Sequence, residues 1–298
     1  MRRSTLGKII AALRKERFDH LQGRAWTQKH LAQAANLSER LIANIERGEK
    51  VNLEPEVLAG LADAFSLTTL ERREFFALAA EVEEDHAVNP THDPQQIREQ
   101  VNLVIEGIHL PGFVYDDYFD IVAANHASLV LHGIPSAWLQ RFVGEHGAAN
   151  FMHVIFAADS PMRHSMARNW QALAYGNMSQ FRVMSLRHRH TDRFGALFAQ
   201  LSKLPDFLDV WSSTQHAHSD FASRMRIHRY PHPVYGILFY SVFAVTSYSA
   251  QNHLHVTALL PLNDFTVEVF NEVYSQRPGH VLHLSDWVQT EADDGEGN

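Results

Sequence analysis

Thr27-Gln28-Lys29-His30-Leu31-Ala32, then Asn36-Leu37-Ser38, then Ile42 and Ile45-Glu46-Arg47-Gly48, is the stretch that decides how the amino-terminal part of this chain folds. Thr27 can cap a short helix over Gln28 to Ala35, and Asn36 tolerates the left-handed backbone that a tight turn between two helices demands. Ser38 caps a following helix that runs to about Arg47 and stops at Gly48. Ala32 must be small where the two helices cross, and Leu37, Ile42 and Ile45 hold the second of them down. The opposite face, with Glu39, Arg40, Ala43, Asn44 and Arg47, is left free to meet a partner.

Working outward, Leu6, Ile9, Ile10 and Leu13 recur at i, i+3, i+4 and i+7 with Lys8, Arg14, Lys15 and Arg17 between them, the pattern of an amphipathic helix. On the other side, Pro55 opens a helix that carries Val57, Leu58, Leu61 and Phe65 on one face, and Thr69 to Glu81 supplies another with Leu70, Phe75, Phe76 and Leu78. Five short helices therefore form an all-α bundle over residues 1–83. A polar stretch with two prolines, residues 84–94, reads as a linker.

The chain has 298 residues, about twice a typical domain, with hydrophobic and charged fractions near globular averages. It contains no cysteine, which removes disulfides, thiolate metal sites and thiol nucleophiles. The net charge of −8 hides an asymmetry: residues 1–50 hold 11 Lys/Arg against 5 Asp/Glu, a surplus of six positive charges that leaves −14 on the other 248 residues. A basic head on an acidic body suits a phosphate-binding module joined to a domain that stays off nucleic acid. With no long apolar run and no charged-then-apolar leader, the expectation is a cytoplasmic protein without membrane contact.

The opening motif resembles the helix-turn-helix of the phage-repressor-like (XRE) family of bacterial regulators, over all five helices. That resemblance assigns base reading to Glu39, Arg40 and Asn44. Their chemistry agrees, since Arg40 can pair bidentately with guanine, Asn44 with adenine, and Glu39 can accept from cytosine. Gln28, the amides at the start of the second helix and Lys50 would hold phosphates; Lys29, Ser38, Ala43 and Arg47 complete the candidate interface. The family's structural ion pair would join Glu46 to Arg17. Asn36 stands where the family usually has Gly.

After the linker, Ile97 to Ile108 predicts a helix, and Phe113–Tyr115 and Ile121–Ala124 a β-hairpin around Asp116-Asp117-Tyr118. Helical patterns run from Asn125 to about Val210, with breaks near Pro135, Asn150 and Gly176. Strands return over Met225–Arg229, Ile237–Thr246 and His253–Leu260. Strands on both sides of a helical insert must pair across it, which gives an α+β layer with a mostly antiparallel sheet over residues 95–290. Residues 291–298 form an acidic, glycine-containing tail.

This half resembles the MmyB-like regulators, in which a repressor-type head precedes a PAS-like ligand-binding domain. The matching stretches are Pro111-Gly112-Phe113-Val114-Tyr115, Ile121-Val122-Ala123-Ala124-Asn125, Asn150-Phe151-Met152-His153-Val154-Ile155-Phe156, Phe194-Gly195-Ala196-Leu197-Phe198 and Tyr230-Pro231-His232-Pro233-Val234-Tyr235-Gly236. Residues 262–287 have no counterpart, and could be an extra helix, a dimer contact or a pocket lid. The resemblance implies a small-molecule pocket between sheet and helices. Aromatic and thioether side chains can line such an adaptable apolar cavity, although most of them simply fill a core. The candidate ligand residues are Tyr115, Phe151, Met152, Ile155, Phe156, Trp170, Phe194, Phe198 and Phe239, with Arg182 among several groups available to a carboxylate. A fatty acid or acyl-like molecule is the expected ligand, and no other cofactor is expected.

Three histidine clusters bear on metal binding: His188 and His190 with Asp192, His216 and His218 with Asp220, and His253 with His255. Two histidines two apart on a strand share a face, yet a site needs a third ligand brought by folding, and solvated histidine is the commoner explanation. No phosphate loop, nucleophile elbow or His-Glu-x-x-His pair occurs, so no catalytic residue is assigned and the chain is not expected to be an enzyme. The reading is a homodimeric regulator of a palindromic double-stranded DNA operator, responsive to an apolar ligand. The alternatives are a carboxy-terminal protein-interaction module and a metal- or haem-sensing regulator.

Overall fold

Helix α1 (Arg3–Glu16) buries the stripe Leu6, Ile9, Ile10 and Leu13. A two-residue antiparallel hairpin, β1 (Phe18–Asp19) and β2 (Arg24–Ala25), leads to α2 (Gln28–Ala34), α3 (Glu39–Glu46), α4 (Pro55–Ala64) and α5 (Thr69–Glu84). These bounds come from a computed structural model that describes residues 3–19, 24–50, 52–84, 94–166, 169–214, 227–247 and 253–285. The five helices share one core, in which Leu31, Ile42, Ile45, Leu61, Phe75 and Leu78 join the α1 stripe.

The chain continues with α6 (Pro94–Gly107), β3 (Gly112–Asp116), β4 (Ile121–Asn125), α7 (His126–Leu131), α8 (Ser136–His146), α9 (Phe151–Phe156) and α10 (Pro161–Met166). Next come α11 (Trp170–Met184), a 3-10 turn (Ser185–His188), α12 (Asp192–Leu201), α13 (Phe207–Thr214), β5 (His228–His232), β6 (Gly236–Ser247) and β7 (Leu254–Pro261). Helix α14 (Asp264–Gln276) and β8 (Val281–His283) close the sequence of elements. No helix among the described residues is long and apolar enough to cross a membrane.

Two compact units divide these elements, and the division is not serial. The first comprises Met1–Asn89, Met178–Lys203 and Phe207–Ser223; the second comprises Pro90–Asn177, Leu204–Asp206 and Arg224–Asn298. The domain expected over residues 95–290 therefore contributes to both units, since residues 178–203 pack with the amino-terminal helices. Three arginines explain why. Arg182 meets Glu71 at 2.8 Å, Arg187 meets Glu74 at 3.2 Å and Arg189 meets Glu16 at 2.6 Å. Leu186, fully buried, joins the same core as Leu6 and Phe75.

The second unit is built on a six-stranded, wholly antiparallel sheet in the order β5-β6-β7-β3-β4-β8. Period-two alternation sorts its side chains by face. Val114, Val122, Leu254 and Val256 pack with Val101 and Ile105 of α6. The other face, bearing Phe113, is met by α7, which in turn packs on α14. Residues 262–287, unplaced by resemblance, thus supply a covering helix and an edge strand, β8, paired to β4. The expected break at Gly176 is also corrected, because that residue lies inside the continuous helix α11. Residues 85–93 of the expected linker, the start of the strand expected from Met225 and the tail at 291–298 lie outside the described residues.

One glycine fixes how closely α1 and α3 approach. A Cβ on Gly7 would lie 2.2 Å from the carbonyl oxygen of Ile45 and 3.1 Å from that of Glu46, so only glycine lets α1 pass under the end of α3. Gly7→Ala should therefore lower stability by about 1–3 kcal/mol through overpacking, against the usual gain in helix propensity. Urea denaturation of the full chain checks this, and an unchanged or raised midpoint would remove the close approach from the account.

Candidate nucleic-acid interface

Local chemistry shapes the turn between α2 and α3. Thr27 Oγ1 accepts from the His30 amide and the Thr27 amide donates to His30 Nδ1, both at 3.3 Å, a reciprocal cap in which histidine takes the place of the usual Glu or Gln. Asn36 adopts φ 54°, the left-handed conformation expected of it. Ser38 Oγ then accepts from the Leu41 amide at 3.2 Å and starts α3.

The base of α3 is pinned to α1. Arg14 donates to both carboxylate oxygens of Glu46, Nε to Oε1 at 2.6 Å and Nη2 to Oε2 at 2.9 Å, while its Nη1 donates to the Trp26 carbonyl at 2.6 Å. Gln28 Nε2 adds a donor to Glu46 Oε2 at 2.8 Å. The expected Glu46–Arg17 pair is thus corrected to Glu46–Arg14. Arg14 sits on the last turn of α1 facing α3, whereas Arg17 follows the helix end and places its guanidinium 5.9 Å from the Trp26 ring centroid. Burial pushes the Arg17 pKa down, with Glu71 and Glu16 opposing it.

The candidate reading residues fall into two groups. Lys29, Glu39 and Arg40 are exposed and make no ion pair among the described residues. The others have protein partners. Arg47 Nη2 donates to Asn44 Oδ1 at 2.7 Å and Arg47 Nε to Glu49 Oε1 at 2.8 Å, and Lys50 Nζ reaches Glu54 Oε1 at 2.8 Å. The hydrogen bond from Arg47 holds the Glu49 carboxyl below its ordinary range and the same contact raises Arg47. Gln28 is engaged by Glu46 and Ala43 is half-buried. Ion pairs this exposed contribute little to stability, so a phosphate or base edge can displace them.

In the second unit two asparagines do the positioning. Asn125 caps α7 through Ser128 N at 3.0 Å, accepts from Gly112 N at 3.0 Å and donates to the Leu110 carbonyl at 2.7 Å, which locks the β3–β4 pair to the start of α7. Asn150 accepts from Met152 N at 2.9 Å and donates to the Tyr118 carbonyl at 2.7 Å and to Asp120 Oδ1 at 2.8 Å. Phe151 is thereby held beside Phe113 and Tyr115, with ring centroids 5.4 and 6.2 Å apart. Met152, Ile155 and Phe156 are fully buried. Trp170 donates to the Ile155 carbonyl at 2.7 Å and carries the Arg163 guanidinium 4.2 Å from its ring centroid. Phe239 lies on β6, its amide donating to Thr266 Oγ1 at 3.0 Å. The remaining candidates, Arg182, Phe194 and Phe198, lie in the first unit. The guanidinium of Arg182, expected to face a ligand carboxylate, faces Glu71 instead.

The histidines find protein partners too. His253 Nδ1 and His255 Nε2 both reach the buried carboxylate of Asp117, at 3.1 and 2.8 Å, and Thr246 Oγ1 lies 3.0 Å from His255 Nδ1. Among the described residues no group of three His, Asp or Glu gathers in a geometry able to hold a metal. His216, His218 and Asp220 lie outside the described residues.

Residues 97–271 match the family model described as the MmyB-like transcription regulator ligand binding domain, which is more than half of the chain. The chain belongs to the MmyB-like transcription regulators. No curated protein matches it. The MmyB-like match takes in β3 to β7, α9 and α12, the elements that carry all five resembling stretches, and most of α14. It also takes in residues 178–203, which belong to the first compact unit. In this chain, then, part of the family's ligand-binding region folds with the amino-terminal helices.

Two buried histidines give the second unit an acid sensitivity. His132, beside Phe113 and Tyr230, is pushed down to about 3 by burial, helped by His232 and His228. His153, stacked 4.3 Å from Phe142, is pushed down to about 4 by burial, then by His146 and Arg141. Both stay neutral in the fold and take up a proton near pH 6.5 once unfolded. Their contribution is therefore complete above about pH 6.5 and is lost as the pH falls from there toward 4. Replacing His132 with Phe should shrink the loss of stability between pH 7.5 and pH 5 in urea titrations; a loss equal to that of the parent chain would show that His132 is not buried in neutral form.

Proposed function

We propose that this MmyB-like regulator is a one-component, homodimeric switch that reads DNA through α3 and responds to an apolar small molecule. The observation that carries the reading is the mounting of α3. Its foot is fixed by Arg14, Gln28 and the glycine contact at Gly7, while Glu39 and Arg40 at its start stand exposed. Base edges are read well only by side chains on an element that cannot rock, and the first turn of a recognition helix is the part that enters the major groove. The surplus of six positive charges in residues 1–50 supplies the sequence-independent attraction to phosphates. Arg47 and Lys50 would exchange Glu49 and Glu54 for phosphate or base contacts.

One such head offers few contacts, so a two-fold dimer reading half-sites about 34–36 Å apart is the arrangement that gives specific affinity. The family's ligand-binding region and its content of aromatic side chains support an apolar ligand, with a fatty acid or acyl-like molecule as the class. The ligand acts by binding the DNA-competent and incompetent states with different affinity.

Selection of binding sites from random duplexes should return a palindrome. Arg40→Ala should relax the preference at one base position per half-site, worth about 1–3 kcal/mol, with the other positions kept. An unchanged preference would remove Arg40 from the reading face, and failure to select any duplex would overturn DNA reading itself.

A further inference from the structure

The two faces of the six-stranded sheet are covered unequally. On the side that bears Phe113 and Tyr240, helices α7, α10 and α14 between them meet β3 to β7. On the side that bears Val114 and Val256, α6 lies against β3, β4 and β7. Register carries this second face on to β6 and β5. Val256 stands opposite Val245, Ala258 opposite Phe243 and Leu260 opposite Ser241, while Phe239 and Ile237 stand opposite Arg229 and Pro231.

Beyond α6 that face is apolar and bare. Phe243 and Val245 are each 51% exposed, Ile237 39% and Leu260 37%, and Ile227, just ahead of β5, is 69% exposed. Strand β6 contains no charged residue over its 12 positions, and Arg229 is the one charged side chain that the register places on this face of β5, β6 and β7. It lies on the outermost strand, at the rim of the patch. Chains that stay monomeric rarely leave a contiguous apolar patch of this kind in water, and they guard such strands with Lys or Pro.

We propose that this face binds the same face of a second copy of the chain, sheet on sheet across a two-fold axis. A patch without charge has nothing to orient a charged partner, whereas a two-fold contact sets one surface against itself, apolar on apolar. β-Branched and aromatic side chains on two such faces interdigitate when the sheets pack at about −30°. The area fits as well. The five exposed side chains present roughly 500 Å² of surface, close to the apolar share of the roughly 800 Å² that each partner contributes to a standard interface. The proposal rests on the homodimeric reading above and gives it a surface. That surface lies wholly in the second compact unit, so the contact leaves Glu39 and Arg40 to DNA.

Alternation along β6 provides the test, because Val242 is 46% exposed but points to the opposite face from Phe243. The mass of the full-length chain is measured by light scattering after size exclusion across a micromolar dilution series. The parent should run as two chains. Phe243→Lys and Ile227→Lys, each of which places two lysines in the contact, should weaken association about a hundredfold and run as one chain. Val242→Lys should keep the parent's affinity within about twofold. Circular dichroism identical to the parent's shows that each variant is folded, and Ile227 lies outside the strands, so its substitution spares the sheet. A two-chain mass that survives both Phe243→Lys and Ile227→Lys overturns this face and leaves the homodimeric reading standing. A parent chain that runs as one chain throughout overturns the homodimeric reading and the face together.

Discussion

The first compact unit depends on a carboxylate and a guanidinium shut away from water. Glu71 and Arg182 have side chains 1% and 5% exposed and stand 2.8 Å apart. Burying two charges is costly, and the attraction between them offsets that cost only with good geometry and further partners. Both groups have further partners, although Glu71 Oε1 and Arg182 Nε are buried without a hydrogen bond among the described residues. Glu71 Oε2 accepts from the Thr68 amide at 2.9 Å and so also caps α5, while the Arg182 guanidinium lies 4.6 Å from the Trp211 ring centroid and donates to the Trp211 carbonyl at 3.4 Å. Losing either residue would leave the other charge buried alone, which costs about 3–5 kcal/mol. Around this pair the Arg187–Glu74 and Arg189–Glu16 contacts add further charge links.

That arrangement changes what a ligand-binding region can do. A serial layout, head then sensor, needs a separate device to carry a signal from one to the other. Here residues 178–203, within the stretch matched to the family's ligand-binding domain, already belong to the unit that contains α3. The path from that segment to the reading helix is short and physical: Arg189 holds Glu16 at the end of α1, and Arg14, two residues earlier, holds Glu46 at the end of α3. A shift in how α12 seats on α1 would reach the foot of α3 without crossing a linker.

Much of the head was legible in the sequence because its signals are local. The α1 stripe, the caps at Thr27 and Ser38 and the left-handed Asn36 are decided within a few residues, and the helices begin where those signals stand. The hairpin β3–β4 and the long strands β6 and β7 were legible from alternation and β-branched content for the same reason. What the sequence could not show were partners distant along the chain. Arg14 and Arg17 are equally basic neighbours, and only the end of α1 at Glu16 decides which one faces Glu46. Arg182 reads as a cation available to a ligand until folding brings Glu71, more than a hundred residues away, against it. Composition alone does not separate Phe194 and Phe198 from Tyr115 and Phe151, although the two pairs lie in different compact units. Glycine weakens helices and so marks a break at Gly176 by sequence, yet that residue lies within α11.

The claim that residues 178–203 and the amino-terminal helices form one cooperative unit is tested most directly by native-state hydrogen exchange on the full chain, with and without Glu71→Gln. One unit predicts that the slowest amides of α1 and α5 and those of Arg182 to Arg189 open with the same free energy, and that the substitution lowers all of them together. Amino-terminal helices that keep their protection while residues 178–203 open independently would contradict it.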